Sequence, residues 1–205
     1  GGGSIWPLPV LTATAQAARE EGLNLHMDGA RLLNAAVASG IDAAAYGATM
    51  HSLWLDFTKG LGAPLGAVLA GSREFIGRAA RYKAALGGAM RQAGIAAAGC
   101  LHALDHHVAR LADDHREAAR LAAGLRAMPG ISLVYGPPAT NIVFFEVQGT
   151  GLSCTEFAAR CLAKGVRIGP VQGRIRAVTH LDVSPAQIDR ALAVMADVVA
   201  GAPGR

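Results

Sequence analysis

The sequence predicts an α/β fold, with a mostly parallel sheet in its first part and a small α+β domain at its carboxyl end. Helix-like and strand-like segments alternate through roughly the first 70 residues, and glycine or proline punctuates them. Alternation of this kind favours parallel strands that helices cover on both faces. Strand-like and helix-like segments are mixed after Pro129.

The first elements form a helix, strand, helix series. Residues 11–21 are rich in alanine and end at Gly22, which suits a helix and its carboxyl cap. The alternating segment from Leu23 to Asp28 predicts a strand, and residues 30–39 predict a helix that stops at Gly40. Asp28 therefore stands at the end of a strand, three residues before Arg31.

A strand, turn and strand follow in SLWLDFTKGLGAPLGAVLAG. The turn is rich in glycine and proline and holds Lys59, and the second strand is predicted over Ala67–Ala70. From Ile95 to Met128 the chain reads as one long helical stretch without proline, ending at Pro129 and bridging to a second domain.

The last third predicts strands in SLVYG, NIVFFEV and RIRAVTHLDV, and helices over 153–164 and 184–200. Ser184 supplies an N-cap, with proline at the first helical position and Gln187 completing a capping box. We therefore divide the chain into residues 1–128, which include the bridging helix, and residues 129–205, which form a small C-terminal α+β domain. The family resemblance described below implies that residues 1–128 are the later part of a large domain.

Composition narrows the class of protein. The chain has 205 residues, 52% of them hydrophobic, which is ample for a core, and no apolar run reaches the length of a membrane span. The net charge of +4 is spread along helical stretches with few aromatic residues, which argues against nucleic-acid binding. Three cysteines without metal-ligand spacing argue for a reducing, cytoplasmic location.

Lys59 and Asp28 are the first candidates for chemistry. A lysine flanked by apolar strands can form a Schiff base with an aldehyde, although an ordinary turn lysine that points to water is the alternative. A carboxylate at the end of a parallel strand lies on the rim where such sheets bind ligands. Pyridoxal phosphate needs an acid of this kind near its ring nitrogen. The alternative for Asp28 is a helix N-cap.

Arginines and histidines supply further candidates. The planar guanidinium of Arg31 or Arg176 suits a bidentate grip on a carboxylate, and a surface ion pair is the alternative for each. His102 and His106 lie four residues apart, a spacing that can chelate zinc. No cysteine or carboxylate pattern completes a metal site, so we predict no metal and favour a solvated helix face.

Taken together, the sequence resembles the L-threonine aldolases of the low-specificity type, which are pyridoxal-phosphate enzymes of the aspartate aminotransferase-like fold (fold type I). The resemblance rests on HMDGARLLNAAVASG, DFTKGLGAPLGAVLAG, LGGAMRQAGIAAAG, TNIVFFEV and AVTHLDVS, in the order of the family. It implies that Lys59 is the catalytic lysine that binds pyridoxal 5'-phosphate covalently. Asp28 pairs with the ring nitrogen, while Arg31 and Thr58 lie beside the cofactor.

The resemblance also implies the substrate site and the assembly. Arg176 receives the substrate carboxylate, with Arg31 nearby. The 83–91 loop approaches the active site of a neighbouring subunit, which makes Arg91 a further substrate-binding candidate in a homodimer or homotetramer. The implied partner is a small β-hydroxy amino acid, with no nucleic acid and no membrane.

The implied reaction is the cleavage of L-threonine, L-allo-threonine or a related β-hydroxy amino acid to glycine and an aldehyde. The alternatives are a catalytically silent, truncated remnant of the family and a β-eliminating lyase or aminotransferase on the same fold. Family members carry an N-terminal portion before the segment matching GGGSIWPL, with the phosphate-binding loop and a ring-stacking histidine. We therefore expect Gly1 to be an internal family position, and these 205 residues alone to bind the cofactor weakly or not at all and to show no turnover.

Overall fold

A computed structural model describes residues 2–203 of the chain. They fall into two units: one comprises Ile5–Leu111, and the other comprises Ala112–Arg205 together with Gly1–Ser4. The chain thus passes from one unit to the other after Leu111. The assignment of residues 1–128 and 129–205 to the domains of a whole enzyme stays a prediction.

The first unit alternates helices and strands, as predicted. Its elements are α1 (Leu8–Glu20), β1 (His26–Gly29), α2 (Leu32–Ser39), α3 (Ala43–Gly47), β2 (Ser52–Asp56), β3 (Ala67–Gly71), α4 (Arg73–Ala85) and α5 (Gly94–His107). Gly40 ends α2 in the left-handed conformation at φ 70°, which agrees with its predicted role as a helix stop.

The sheet of this unit has the order β1-β2-β3 and is only half parallel. β1 and β2 are parallel, whereas β3 runs antiparallel to β2. Residues 57–66 connect β2 to β3, and a parallel return would need a longer crossover. All five residues of β3 are exposed. Among the described residues, β3 is therefore an antiparallel, exposed exception to the predicted mostly parallel, covered sheet.

The predicted single helix from Ile95 to Met128 is also wrong. The structure has α5 and a separate helix, α6 (Leu111–Arg126), with a turn at residues 108–110. No proline or glycine marks this break. Leu111 is fully buried against Phe57 and Leu61, and Asp113 and Asp114 lie in the first turn of α6, where negative charge is favourable.

The second unit is a small α+β structure, in agreement with the prediction. Its further elements are β4 (Ser132–Leu133), β5 (Ile142–Glu146), a 3₁₀ turn (Gln148–Thr150), α7 (Cys154–Ala163), β6 (Gly169–Val171), β7 (Arg174–Val178) and α8 (Pro185–Ala200). The sheet order is β4-β5-β7-β6, and every neighbouring pair is antiparallel. The short strand β6, which contains a proline, was not predicted.

Helices α7 and α8 begin with capping boxes and cover one face of this sheet. Phe145 of β5, Phe157 of α7, Ile175 of β7 and Met195 of α8 belong to one buried cluster. Because side chains alternate along a strand, Arg174 and Arg176 point to the opposite face. The capping box predicted at Ser184 is confirmed.

Candidate active site

The site begins at the edge where β1 and β2 end. Because these strands are parallel, their carboxyl ends share one edge of the sheet, with Asp28 in register with Trp54. In open α/β sheets, ligands bind beyond the carboxyl ends of the strands. The two conspicuous segments of the sequence, HMDGAR and DFTKG, are therefore neighbours in space at this edge.

One face of β1 and β2 carries the polar side chains. His26 is in register with Ser52, and its Nδ1 lies 2.8 Å from the Ser52 hydroxyl, so register partners share a face. Since side chains alternate along a strand, Asp28, Trp54 and Asp56 lie on that same face. His26 was not singled out from the sequence.

Asp28 is exposed and holds a local turn rather than capping a helix. Its carboxylate accepts a hydrogen bond of 3.1 Å from the Ala30 backbone N–H, whereas α2 begins later, at Leu32, after Arg31 in the N-cap position. The alternative interpretation of Asp28 as a helix N-cap is therefore wrong. An exposed carboxylate at a strand end is available to a ligand.

Gly29 allows β1 to approach β2 closely beside Asp28. A Cβ atom at Gly29 would lie 2.1 Å from the backbone carbonyl oxygen of Trp54. No side chain can be accommodated there without a backbone shift. The position of Asp28 relative to β2 thus depends on this glycine.

Lys59 lies in the turn after β2, and its amine is held by two neighbours. The Nζ atom donates a hydrogen bond to the Asp56 carboxylate and lies 5.0 Å from the centroid of the Trp54 ring. The side chain is 36% exposed. The alternative of a turn lysine that simply points to water does not describe this arrangement. Trp54 therefore lies in register with Asp28 on one side and beneath the Lys59 amine on the other.

Asp56 is the acid of this site that the sequence analysis missed. Its side chain is 7% exposed, and besides Lys59 it accepts hydrogen bonds of 2.7 Å from both the backbone N–H and the hydroxyl of Thr58. Burial raises the pKa of the Asp56 carboxyl, but the hydrogen bonds from Lys59 and Thr58 outweigh burial and the net pKa is lowered. A signal was available, because Asp56 ends β2 much as Asp28 lies at the end of β1.

Arg31 lies behind this edge. It is half-buried and lines a cavity of about 10 Å³ together with Asn34, Asp56 and Gly60. A cavity of this size holds about one water molecule. Asn34 is 2% exposed and was also missed, since a single asparagine in a helical segment gives no sequence signal.

Arg176 belongs to the second unit and lies exposed on β7. It is in register with Phe144 and Gly169, on the face opposite the buried cluster. On the same face, Arg174 pairs with Glu146 at 3.3 Å. Arg176 also lines an open groove of about 490 Å³ whose other walls are mostly apolar. Its predicted contact with the substrate stays a prediction.

The predicted 83–91 loop begins later than expected. Lys83 lies in the last turn of α4, which continues to Ala85, so the non-helical segment spans residues 86–93. Arg91 is exposed in the turn before α5. Its place in a substrate site stays a prediction.

The histidines of α5 lie close together. The ring centroids of His102 and His106 are 4.4 Å apart, and Nδ1 of His107 lies 2.6 Å from the Leu61 carbonyl oxygen. Within residues 2–203, no group of three or more His, Cys, Asp or Glu side chains is arranged to hold a metal ion. In the same part of the chain, no helix combines the length and the hydrophobicity that a membrane crossing requires.

The structure thus places an acid, Asp28, at the end of β1 and a lysine, Lys59, in the glycine-rich turn after the parallel strand β2, at the edge where α/β folds bind ligands. Comparison with known proteins gives the family: the model of the family described as "Beta-eliminating lyase" matches residues 1–150, and the chain belongs to this family.

Two relatives extend the match. The chain is 35% identical over 193 residues to "Probable low-specificity L-threonine aldolase 2" of Arabidopsis thaliana, covering 93% of this chain and 54% of the relative. It is 37% identical over 186 residues to "Low specificity L-threonine aldolase" of Escherichia coli K12, covering 91% and 54%. The predicted resemblance to the threonine aldolases is confirmed. The chain spans about half the length of these relatives.

Solved structures give the same fold. A putative L-allo-threonine aldolase from Listeria monocytogenes superposes with a TM-score of 0.80 at 20% identity, covering 96% of this chain and 58% of that one. A putative aromatic amino acid beta-eliminating lyase/threonine aldolase from Exiguobacterium gives a TM-score of 0.79 at 22% identity, with the same coverage. The predicted α/β fold of the aspartate aminotransferase-like class is confirmed.

Proposed function

We propose that this chain provides the lysine and acid of a pyridoxal-phosphate enzyme that cleaves L-threonine, L-allo-threonine or a related β-hydroxy amino acid to glycine and an aldehyde. One observation carries the proposal: Asp28 and the Lys59 amine lie on the same face of the β1–β2 edge, beside one tryptophan. The named relatives, which are threonine aldolases, support the choice of reaction.

Asp28 and Lys59 suit two functional groups of pyridoxal phosphate. Asp28 offers an exposed carboxylate for the protonated ring nitrogen, and Lys59 offers a primary amine for the aldehyde. When bound, the cofactor supplies an electron sink for the bond that breaks between Cα and Cβ of the substrate.

The residues of the chain would then have distinct tasks. Asp28 would hold the ring nitrogen of the cofactor in its protonated form, and Lys59 would offer its Nζ amine to the aldehyde group. Arg176 grips the substrate carboxylate, since its planar fork matches two oxygens. Arg31 and Thr58 would contact the cofactor, and Arg91 would reach toward the substrate of a neighbouring subunit.

The alternative within the family is β-elimination, which the family description supports. It would release ammonia and a keto acid, whereas aldol cleavage releases glycine and an aldehyde. A catalytically silent member would release neither.

Product analysis distinguishes these functions. The assay uses the 205-residue chain and, in parallel, a chimera in which the N-terminal portion of the Escherichia coli relative precedes Gly1, with the intact relative as positive control. Both receive L-threonine and pyridoxal phosphate. The proposal predicts equal amounts of glycine and acetaldehyde from the chimera. Ammonia with a keto acid would establish the lyase, and no product would establish the silent member.

We also propose that the protein forms a homodimer or homotetramer through residues 86–95. This segment is rich in glycine and exposes three apolar side chains: Leu86 is 85% exposed, Met90 55% and Ile95 82%. Side chains of this kind are seldom exposed together on a monomer, and contiguous apolar patches mark interfaces. A second copy would cover them.

A reducing, cytoplasmic location completes the proposal. Cys100, Cys154 and Cys161 are all free, and Cys154 and Cys161 are buried. Burial raises the pKa of the Cys161 thiol to about 11, which keeps it protonated and unreactive.

A further inference from the structure

The proposed function gives no task to the buried carboxylate of Asp56. Asp56 lies at the end of β2, on the face that carries Asp28, and its carboxylate is almost fully buried. Burying a carboxylate is costly unless hydrogen bonds and a counter-charge stabilise it. The partners of Asp56 therefore indicate what the residue is for.

The two carboxylate oxygens have separate partners. Oδ1 accepts both hydrogen bonds from Thr58, which fix the turn, whereas Oδ2 accepts the hydrogen bond from Lys59. One oxygen thus shapes the backbone that carries Lys59, and the other binds the amine itself. The Trp54 ring restricts the same amine from another side.

We propose that Asp56 is a positioning residue for Lys59. Its buried carboxylate holds the Lys59 amine at the β1–β2 edge through the hydrogen bond from Nζ to Oδ2, while Thr58 holds the carboxylate itself. A role of Asp56 in catalysis through Lys59 rests on the proposed function. The hydrogen bond between Lys59 and Asp56 does not depend on it.

The pairing has a chemical consequence. A reagent reaches Nζ only from the sides that are open, and the Asp56 carboxylate and the Trp54 ring each occupy one side of the amine. Lys59 should therefore react with a small, unselective reagent more slowly than the exposed lysines of the same chain. After Lys59 is released from a covalent bond, Asp56 would return the amine to the same place.

The test is competitive acetylation of the 205-residue chain with limiting acetic anhydride at neutral pH, with mass spectrometry of the three lysine peptides. In the unchanged chain, Lys59 should react at least about threefold more slowly than Lys83, which is exposed on α4. In Asp56→Asn, which keeps the shape of the side chain and removes its charge, the rate at Lys59 should rise by roughly tenfold, the scale of a lost charge-assisted hydrogen bond. The rates at Lys83 and Lys164 should not change.

Two variants serve as controls. Asp197→Asn removes the partner of Lys164, which binds Asp197 at 2.5 Å with both side chains about half exposed. Because surface pairs contribute little, the rate at Lys164 should change less than about twofold. Thr58→Ala removes a hydrogen bond to Oδ1 and keeps the bond from Lys59 to Oδ2, so the rate at Lys59 should stay low.

Three results would overturn the inference: equal rates at Lys59 and Lys83 in the unchanged chain, an unchanged rate at Lys59 in Asp56→Asn, or an increase in Thr58→Ala as large as in Asp56→Asn. The first result requires no variant to fold. Acetic anhydride needs no cofactor site, so failure of the proposed function would leave these rates unaffected.

Discussion

Gly29 ties the position of Asp28 to the backbone of the neighbouring strand. Because a Cβ atom there would meet the Trp54 carbonyl oxygen at 2.1 Å, Gly29→Ala must push β1 away from β2. We expect the free energy of unfolding to fall by at least about 2 kcal/mol, measured by urea denaturation.

Gly77→Ala is the matched control for Gly29→Ala. A Cβ atom at Gly77 meets nothing within 4 Å, and Gly77 lies inside α4. Because alanine favours a helix over glycine, this change should raise the free energy of unfolding by about 1 kcal/mol. Equal effects of the two changes would contradict the close contact at Gly29.

The substitution Arg176→Lys tests whether Arg176 binds the substrate carboxylate. In an active enzyme that contains this chain, Arg176→Lys keeps the charge and loses the planar fork, so KM for the amino acid should rise by roughly tenfold or more. Affinity for the cofactor should change little. Steady-state kinetics and a cofactor titration measure both quantities.

Arg174→Lys is the control on the same face of β7. Arg174 already pairs with Glu146, so its replacement should leave KM within about twofold. An unchanged KM in Arg176→Lys, or an equal rise in Arg174→Lys, would place Arg176 outside the substrate site.

Single residues were predictable where their position in an element carried the signal. Asp28 ends an alternating strand and Lys59 lies in a glycine-rich turn, so the sequence singles both out. Asp56 also ends a strand, but its burial, like that of Asn34, depends on how α2 and the strands pack. The interpretation of Asp28 as a helix N-cap failed because α2 begins after Arg31, beyond the reach of the Asp28 side chain.

At the scale of elements, the two capping boxes differ in one atom type. The N3 residue is Glu156 in α7 and Gln187 in α8. Hydrogen bonds from Ser153 lower the pKa of the Glu156 carboxyl. The stability that comes from this shift is full above the unfolded-state pKa and is lost as the pH falls through the folded-state pKa.

Loss of an N-cap hydroxyl costs about 1 kcal/mol. We therefore expect Ser153→Ala to be destabilising at pH 7 and progressively less so toward pH 3, whereas the cost of Ser184→Ala should not depend on pH. Chemical denaturation across this pH range gives both curves. Parallel pH dependence in the two variants would contradict the role of Glu156.

Elements with strong local signals were predicted well, and the failures have physical causes. The capping sequence at Ser184 gives the start of α8 because the same residues satisfy the free N–H groups of the helix. The break between α5 and α6 has no proline or glycine to reveal it. β6 is short and contains proline, so its pairing with β7 comes from tertiary structure rather than from local preference.

At the scale of the whole molecule, the exposed 86–95 segment predicts self-association. Light scattering at micromolar concentration should show a dimer or tetramer, and the double change Leu86→Glu with Ile95→Glu should shift it toward monomer by placing like charges in the interface. Leu162→Glu, at a leucine that is 54% exposed on α7, is the control and should have no effect. A monomeric unchanged chain would contradict the prediction.

The fold class was predictable because alternation of helices and strands restricts the arrangements of a chain. The exposure of the sheet was not predictable. Whether β3 is buried depends on which elements pack against the strand, and not on its own apolar sequence. The predicted strand ends indicated the edge of the sheet at which the site lies. The hydrogen bond of Lys59 to Asp56 could not be predicted in this way, because it depends on the conformation of the folded turn.

The most direct test of the central claim is the residue to which pyridoxal phosphate attaches. The chimera carrying the N-terminal portion of the Escherichia coli relative is loaded with pyridoxal phosphate, reduced with borohydride and mapped by mass spectrometry, with Lys59→Ala as control. We expect the cofactor mass on the peptide containing Lys59, and we expect it to disappear in Lys59→Ala. Attachment at Lys83 or Lys164 with Lys59 unlabelled would contradict it.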